Sequence, residues 1–198
     1  MSPLSNEDRR RLLAIARQSI VVAVSHGRPP KSETAIGELA ELRGAFVTLH
    51  CASRLRGCVG QPGAYDSLAN TVARCAALAA TEDNRFHPVT PGEISGIEIE
   101  ISVLSPAEPI RPDQIVLGIH GLMISSGSAR GVLLPQVPIE HRLTREQFLA
   151  ETCRKAGLPL DAWKSPGVEI LGFTCEAFSD RESATPQIPD PTQVPLQK

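Results

Sequence analysis

The sequence lacks long apolar segments. Its first residues contain no uninterrupted apolar stretch of the kind found in signal peptides, and no run of about 18 apolar residues is available to cross a bilayer. We therefore expect a cytoplasmic protein with no membrane partner.

The sequence also has little net charge and few aromatic residues. Its formal net charge is -2, and it contains one Trp and one Tyr. Nucleic-acid-binding proteins usually present a basic surface, often with aromatic side chains for base stacking, so this composition argues against a nucleic-acid partner. Basic residues comprise 16 Arg and 4 Lys. Because guanidinium can bind a carboxylate or phosphate through two hydrogen bonds, a local anion site remains open.

Patterns typical of disulfide frameworks and zinc sites are missing as well. The five cysteines form an odd number, no C-x-x-C pair occurs, and Cys and His never cluster at zinc-site spacing. At 198 residues the chain is long enough to bury a core without covalent cross-links. We therefore expect free thiols and no structural metal.

Hydrophobic periodicity and turn residues divide the chain into helices and strands. Ser5 begins a Ser-x-x-Asp start signal before apolar residues at helical spacing, and Gly27 ends that helix. Strict alternation from Ile97 to Val103 indicates the clearest strand. The patterns predict helices at 5–25, about 68–79 and from the N-cap Thr144 to Gly157, and strands at 45–50, 55–59, 97–103, 123–124, 132–134 and 168–178.

The connections between these elements indicate the fold class. Two pairs of strands are joined as hairpins, one of them through a turn at 125–131, and no strand–helix–strand rhythm is present. This arrangement is typical of an α+β fold, with an antiparallel sheet covered by helices. We expect one folded unit at residues 5–180. The segment 181–198 contains four prolines and few apolar residues, which predicts a disordered tail.

The best candidate for chemistry is Cys58 in the segment Leu55-Arg56-Gly57-Cys58-Val59-Gly60. The neighbouring glycines let the backbone approach a ligand closely. In an extended strand Arg56 and Cys58 share one face, and a cation beside a thiol favours the nucleophilic thiolate. The alternative is that Cys58 is a small buried hydrophobe, which is common for a free cysteine.

A nucleophilic cysteine needs a base, and His120, followed by Gly121 at the start of a strand, is the first choice. His87 is the second choice. His26, His50 and His141 are expected to be structural or solvated. The pattern also leaves a purely structural role open for each histidine, since catalytic groups are defined by geometry and not by sequence order.

Glu98 and Glu100 share one face of the strand at 97–103. Two carboxylates on one face can flank a pocket, but a half-exposed strand also alternates in this way. We therefore expect these two carboxylates to face solvent.

The segment around Cys58 resembles the LRGC[IV]G signature of the AMMECR domain family. Further family motifs follow in the same order, so the resemblance covers roughly residues 8–180. Gln61 departs from the family pattern, in which Thr is frequent. The other matching motifs are Arg85-Phe86-His87-Pro88, Ile101-Ser102-Val103-Leu104, His120-Gly121-Leu122, Leu133-Leu134-Pro135-Gln136-Val137 and Lys155-Ala156-Gly157-Leu158 with Trp163.

This resemblance implies a mixed, largely antiparallel sheet flanked by helices, with a smaller subdomain. It also implies a component of the AmmeMemoRadiSam system, which includes a Memo-like protein and a radical S-adenosylmethionine protein. The resemblance implies that the signature loop is a functional site, but it implies neither a particular reaction nor a cofactor. We assign ligand binding to Gly57, Gly60, Arg85 and His87.

Two hypotheses follow for function. In the first, the protein is an enzyme in which Cys58 acts as nucleophile or acid, His120 as base and Arg56 as anion holder. In the second, the same loop is a non-catalytic binding module for the Memo-like or radical S-adenosylmethionine partner. The thiol two residues from an arginine favours the enzyme, because a binding surface has no particular need for it.

Overall fold

The structure is a computed structural model, and it describes residues 3–27 and 35–181. Apart from Arg181, the predicted tail lies outside the described residues. The helices are α1 (Asn6–His26), α2 (Leu68–Thr81), α3 (Val137–Glu140) and α4 (Arg145–Lys155). The strands are β1 (Ala45–Cys51), β2 (Arg54–Gln61), β3 (Ile97–Leu104), β4 (Glu108–Pro109), β5 (Gly121–Ser126), β6 (Ala129–Leu133), β7 (Glu169–Phe173) and β8 (Cys175–Ser179).

Helices α1 and α4 begin and end as their sequences predict. The Ser5 hydroxyl accepts the amide of Asp8 at 3.1 Å, and Gly27 ends α1 with a φ of 58°. Glycine adopts this left-handed conformation without the clash that a Cβ would cause. Thr144 and Gln147 form the predicted capping box at the start of α4.

The larger sheet has the strand order β2-β1-β3-β8, and all of its pairs are antiparallel. Helices α1 and α2 cover one face, where Val47, Leu49, Ile99 and Ile101 are buried together with apolar residues of both helices. Since successive side chains on a strand point to opposite faces, Thr48 and the other intervening residues point away from these helices.

The smaller sheet has the order β4-β7-β5-β6 and is also antiparallel. Leu122 and Ile124 pack with Phe148 and Leu149 of α4 in a second hydrophobic core. The α+β class and the smaller subdomain are therefore confirmed. Strands β5 and β6 extend further than predicted, so that only two residues, Gly127 and Ser128, separate them.

The predicted last strand at 168–178 is wrong in one respect. It breaks at Thr174, so that β7 belongs to the smaller sheet and β8 to the larger one. Instead of pairing within a strand, Thr174 accepts the amide of Ser105 at 3.0 Å and donates its own amide to the Ser105 hydroxyl at 2.9 Å. These two residues hold the sheets together where the chain passes between them.

Across residues 3–27 and 35–181, no helix has both the length and the apolar character needed to cross a membrane.

Candidate functional site

Cys58 lies on β2, at the edge of the larger sheet. The register pairs Thr48 with Cys58 on one side and with Glu100 on the other, so these three residues form one row across β2, β1 and β3. Thr48 lies between the buried residues Val47 and Leu49. The row is therefore on the face opposite α1 and α2, and it is free to line a cleft.

The backbone of Cys58 is held by two side chains from the segment after α2. Its amide donates to Asp83 Oδ2 at 2.8 Å, and its carbonyl accepts from Arg85 Nη2 at 3.1 Å. The same Arg85 nitrogen forms a 2.6 Å salt bridge with Asp83, whose side chain is 5% exposed. The pair satisfies an edge of β2 that has no neighbouring strand.

The pKa of the Asp83 carboxyl is well below its ordinary range. The hydrogen bond from Arg85 is the main cause, and the backbone amides of Cys58 and Arg85 add to it. The pKa of Arg85 is raised, chiefly by its hydrogen bond to Asp83 and to a smaller extent by Cys58. The cation that interacts with Cys58 is therefore Arg85, which the sequence marked only as a ligand-binding residue.

The expectation that Arg56 stands beside Cys58 on one face is wrong. A β-bulge shifts the register between Leu49 and His50, so that Leu49 pairs with Gly57 and His50 with Leu55. The extra residue interrupts the alternation of side chains. As a result Leu55, and not Arg56, lines the same cleft as Cys58.

Arg56 instead binds the segment that precedes β3. Its Nε donates to Glu93 Oε1 at 2.9 Å, and its terminal nitrogens donate to the carbonyls of His87 at 2.8 Å and Pro88 at 3.2 Å. The pKa of Glu93 falls to about 2, mainly through the hydrogen bond from Arg56 and then through Thr90. These contacts give Arg56 a structural role in the fold.

The thiol of Cys58 is half-buried and opens onto a cleft of about 1070 Å³. The Thr48 hydroxyl donates to its sulfur at 3.3 Å. We call this space the Cys58 cleft. The larger sheet and the segment after α2 contribute Thr48, His50, Leu55, Cys58, Arg85 and Glu100, and the smaller subdomain contributes Leu133, Leu134, Gln136, Val137, Glu140, His141, Leu143, Glu151, Arg154 and Lys155.

The histidines of the Cys58 cleft are His50 and His141, neither of which was a first choice from the sequence. His50 could have been found from the strand pattern, because it is two residues from Thr48 on β1 and so shares its face. His141 follows α3, and no local signal links it to β2. Glu100 also lines the cleft, which is contrary to the expectation that it simply faces solvent, whereas Glu98 forms a salt bridge with Arg181.

The structure does not bring His120 to Cys58. His120 Nδ1 accepts the amide of Val116 at 3.0 Å, and its side chain lines a different cleft, beside Arg43 and Ser105. The predicted pairing of His120 with the thiol is therefore wrong. His87 is exposed and lines a shallow surface depression with Arg56 and Arg85.

Packing explains the two glycines that were assigned to ligand binding. A Cβ on Gly57 would lie 2.1 Å from the carbonyl oxygen of Ala79 in α2. A Cβ on Gly60 would lie 2.0 Å from the ring of Phe46. Gly57 is therefore too close to the α2 backbone for any larger residue, and a larger residue at Gly60 would require the Phe46 ring to move, whether or not a ligand binds.

Within the described part of the chain, no group of three or more His, Cys, Asp or Glu side chains is arranged to hold a metal ion.

Comparison with known proteins agrees with the resemblance seen in the motifs. A protein from Thermococcus gammatolerans is 42% identical over 183 residues, which cover 85% of this chain and 88% of that protein. A protein from Methanothermobacter thermautotrophicus is 39% identical over 190 residues, covering 90% of this chain and 97% of that protein. The crystal structure of an uncharacterized protein from Pyrococcus horikoshii has a TM-score of 0.81 and 37% identity, covering 89% of this chain and 93% of that one.

The model of the AMMECR1 family matches residues 13–178, which include every residue of the Cys58 cleft and both sheets except Ser179. Because this family model covers most of the chain, and because the Thermococcus gammatolerans protein is 42% identical over 85% of it, the chain belongs to the AMMECR1 family.

Proposed function

We propose that the Cys58 cleft is the active site of an enzyme component of an AmmeMemoRadiSam-type modification system, with Cys58 as the reactive group. The observation that carries this proposal is the placement of a half-exposed thiol in a large cleft beside Arg85 and Glu100, with His50 on the same wall. Reactive cysteines characteristically occupy partly exposed sites near positive charge.

The lining of the cleft suggests the kind of substrate that it takes. Three basic side chains, Arg85, Arg154 and Lys155, line the cleft together with three acidic ones, Glu100, Glu140 and Glu151. Their formal charges cancel, so the cleft suits a ligand that carries both signs of charge or none. Leucine and valine side chains add apolar area on both walls. A segment of polypeptide has these properties, and it is the substrate class that this lining fits.

One observation favours the alternative of a non-catalytic adaptor for a Memo-like or radical S-adenosylmethionine partner. The hydrogen-bond partner that the structure gives the Cys58 sulfur is the Thr48 hydroxyl, which is not a base able to remove the thiol proton. In that case the cleft would hold a segment of the partner, and the thiol would serve packing only.

The experiment that tests the proposal is alkylation of the native protein with iodoacetamide from about pH 6 to about pH 9, resolved by peptide mass mapping. We expect Cys58 to react first, and ahead of Cys51 and Cys175, which are also half-buried. Arg85→Gln is expected to slow the reaction at Cys58 and to leave the reaction at Cys175 unchanged.

A Cys58 that reacts only when the protein unfolds would overturn the enzymatic proposal. Binding of a Memo-like or radical S-adenosylmethionine protein, measured with wild type and with Cys58→Ser, then distinguishes the two candidates. An adaptor keeps its affinity when the thiol is replaced, and it loses affinity when Arg154→Glu changes the charge of the opposite wall.

A further inference from the structure

A second cleft, of about 720 Å³, lies where the loop before β1 meets the segments that join the two sheets. We call it the Arg43 cleft. Its polar lining comes from Glu41, Arg43, Ser105, Glu108, Gln114, His120 and Thr174. It shares no lining residue with the Cys58 cleft, so the inference drawn from it is separate from the function proposed above.

Arg43 is the unusual residue of this cleft. It is 3% exposed, and neither of its terminal nitrogens, Nη1 and Nη2, has a hydrogen-bond partner among the described residues. The carboxylates of Glu38 and Glu41 approach it only to 3.8 Å, which is beyond hydrogen-bond distance. A buried guanidinium normally has its N–H groups hydrogen-bonded, because leaving them unpaired is costly. Arg43 therefore has unpartnered donors, and because both nitrogens are shielded from solvent, a ligand reaches them when the partly exposed Glu38 and Glu41 side chains shift.

The neighbouring groups define what else the cleft can offer. His120 Nδ1 accepts the amide of Val116, so a neutral ring carries its proton on Nε2 and has that donor available. The Ser105 hydroxyl is already engaged, since it accepts from Thr174 and donates to the carbonyl of Pro106 at 3.1 Å. The charged or ring donors left for a ligand are thus those of Arg43 and His120, with the neutral Gln114 amide and Thr174 hydroxyl on the same lining.

The charge of the lining selects among ligands that carry acceptor oxygens. Glu41 and Glu108 line the same cleft as Arg43, so a ligand with only negative charge would be repelled by two carboxylates. A ligand with a carboxylate and an ammonium group would meet an opposite charge at each end.

We propose that the Arg43 cleft binds a small zwitterion of the amino-acid or dipeptide type. Its carboxylate accepts hydrogen bonds from Arg43 Nη1 and Nη2, with His120 Nε2 as a further donor. Its ammonium group is bound between Glu41 and Glu108.

The test is an NMR titration of the full chain with glycylglycine, acetate and inorganic phosphate at matched ionic strength. The signals followed are the side-chain Nε–H of Arg43 and the amide of Gly44. We expect saturable shifts with glycylglycine, weaker binding of acetate, which lacks the ammonium group, and the weakest binding of phosphate. The absence of saturable shifts with any probe, or tighter binding of phosphate than of glycylglycine, would overturn the proposal.

Three variants sharpen the test. Arg43→Met is expected to abolish the saturable shift at Gly44. Arg111→Gln is the matched control, because Arg111 is an exposed arginine outside this cleft that pairs with Asp113, and its variant should bind as wild type does. Glu41→Gln removes one partner of the ammonium group. It is expected to lower the affinity for glycylglycine by roughly threefold to tenfold and to raise the affinity for acetate.

These variants keep the outcome decisive even if one of them does not fold. If Arg43→Met fails to fold, the test is whether Glu41→Gln changes the affinities for glycylglycine and for acetate in opposite directions. Equal responses to the two probes would contradict the proposal. Alkylation of Cys58 is measured at the other cleft, so a failure here leaves the proposed function untouched.

Discussion

The amide of Cys58 donates to the carboxylate of Asp83 at 2.8 Å, so an acidic side chain 25 residues further along the chain holds the backbone of the reactive-thiol candidate. Arg85 binds the same carboxylate and donates to the Cys58 carbonyl. Together the two side chains occupy the position that a neighbouring strand would take at the edge of β2.

Asp83→Asn is expected to destabilise the fold by about 2 kcal/mol near neutral pH, because the amide cannot replace the charged hydrogen bonds to Arg85. The folded-state pKa of Asp83 lies below its ordinary value of 3.8. The carboxylate therefore stabilises the fold fully above that value, and its contribution is lost as the pH falls through the folded pKa. Urea unfolding of both proteins across this range measures the difference.

The direction of this pH dependence tests whether the Asp83 carboxylate is paired in the folded protein. The difference in the free energy of unfolding between wild type and Asp83→Asn should be largest at neutral pH and should decrease as the pH falls below about 4. A gap that is constant with pH would mean that the carboxylate is not paired in the folded protein.

Arg56→Gln is expected to cost about 2 to 3 kcal/mol of unfolding free energy. The variant removes the ion pair with Glu93 and two hydrogen bonds to backbone carbonyls, at a side chain that is 17% exposed. Chemical denaturation measures the loss.

Arg111→Gln is the control for Arg56. Its ion pair with Asp113 is exposed, with side-chain exposures of 70% and 69%, and exposed pairs contribute about 0 to 1 kcal/mol. If the two variants were equally stable, the structural role assigned to Arg56 would be wrong.

Gly57→Ala is expected to destabilise the protein by roughly 2 to 4 kcal/mol, since the added Cβ would collide with the backbone of α2 at Ala79. Gly92→Ala is the matched control, because a Cβ there has nothing within 4 Å and its φ is not positive. Thermal unfolding followed by circular dichroism compares the two. Similar melting temperatures would show that β2 and α2 are not in close contact at this point.

Cys75 is expected to stay unlabelled by iodoacetamide in the native protein even at about pH 9 and to react once the protein unfolds. Burial raises the pKa of its thiol to about 11, and the residue is 2% exposed. Peptide mass mapping with and without denaturant gives the result. Native-state labelling of Cys75 at the rate of Cys175 would contradict the packing of α2 on the sheet.

Local signals were enough to predict most of the elements. The Ser5 cap and Gly27 bounded α1, the Thr144 capping box placed the start of α4, and the alternation after Ile97 identified β3. Each of these features depends on residues within one or two turns of the chain, which is why a single sequence reveals them. The break at Thr174 was missed because both halves of that segment are equally suited to a strand.

The sequence by itself determined the fold class, the main helices and hairpins, the family, and Cys58 as the candidate thiol. Only the tertiary structure decided which side chains share a cleft with that thiol. A one-residue bulge turned Arg56 away, and the fold brought Arg85, His50 and His141 to the cleft while it placed His120 beside the buried Arg43. The physical reason is that periodicity reports the local backbone, whereas a bulge and the packing of two sheets are set by contacts between residues far apart in the chain.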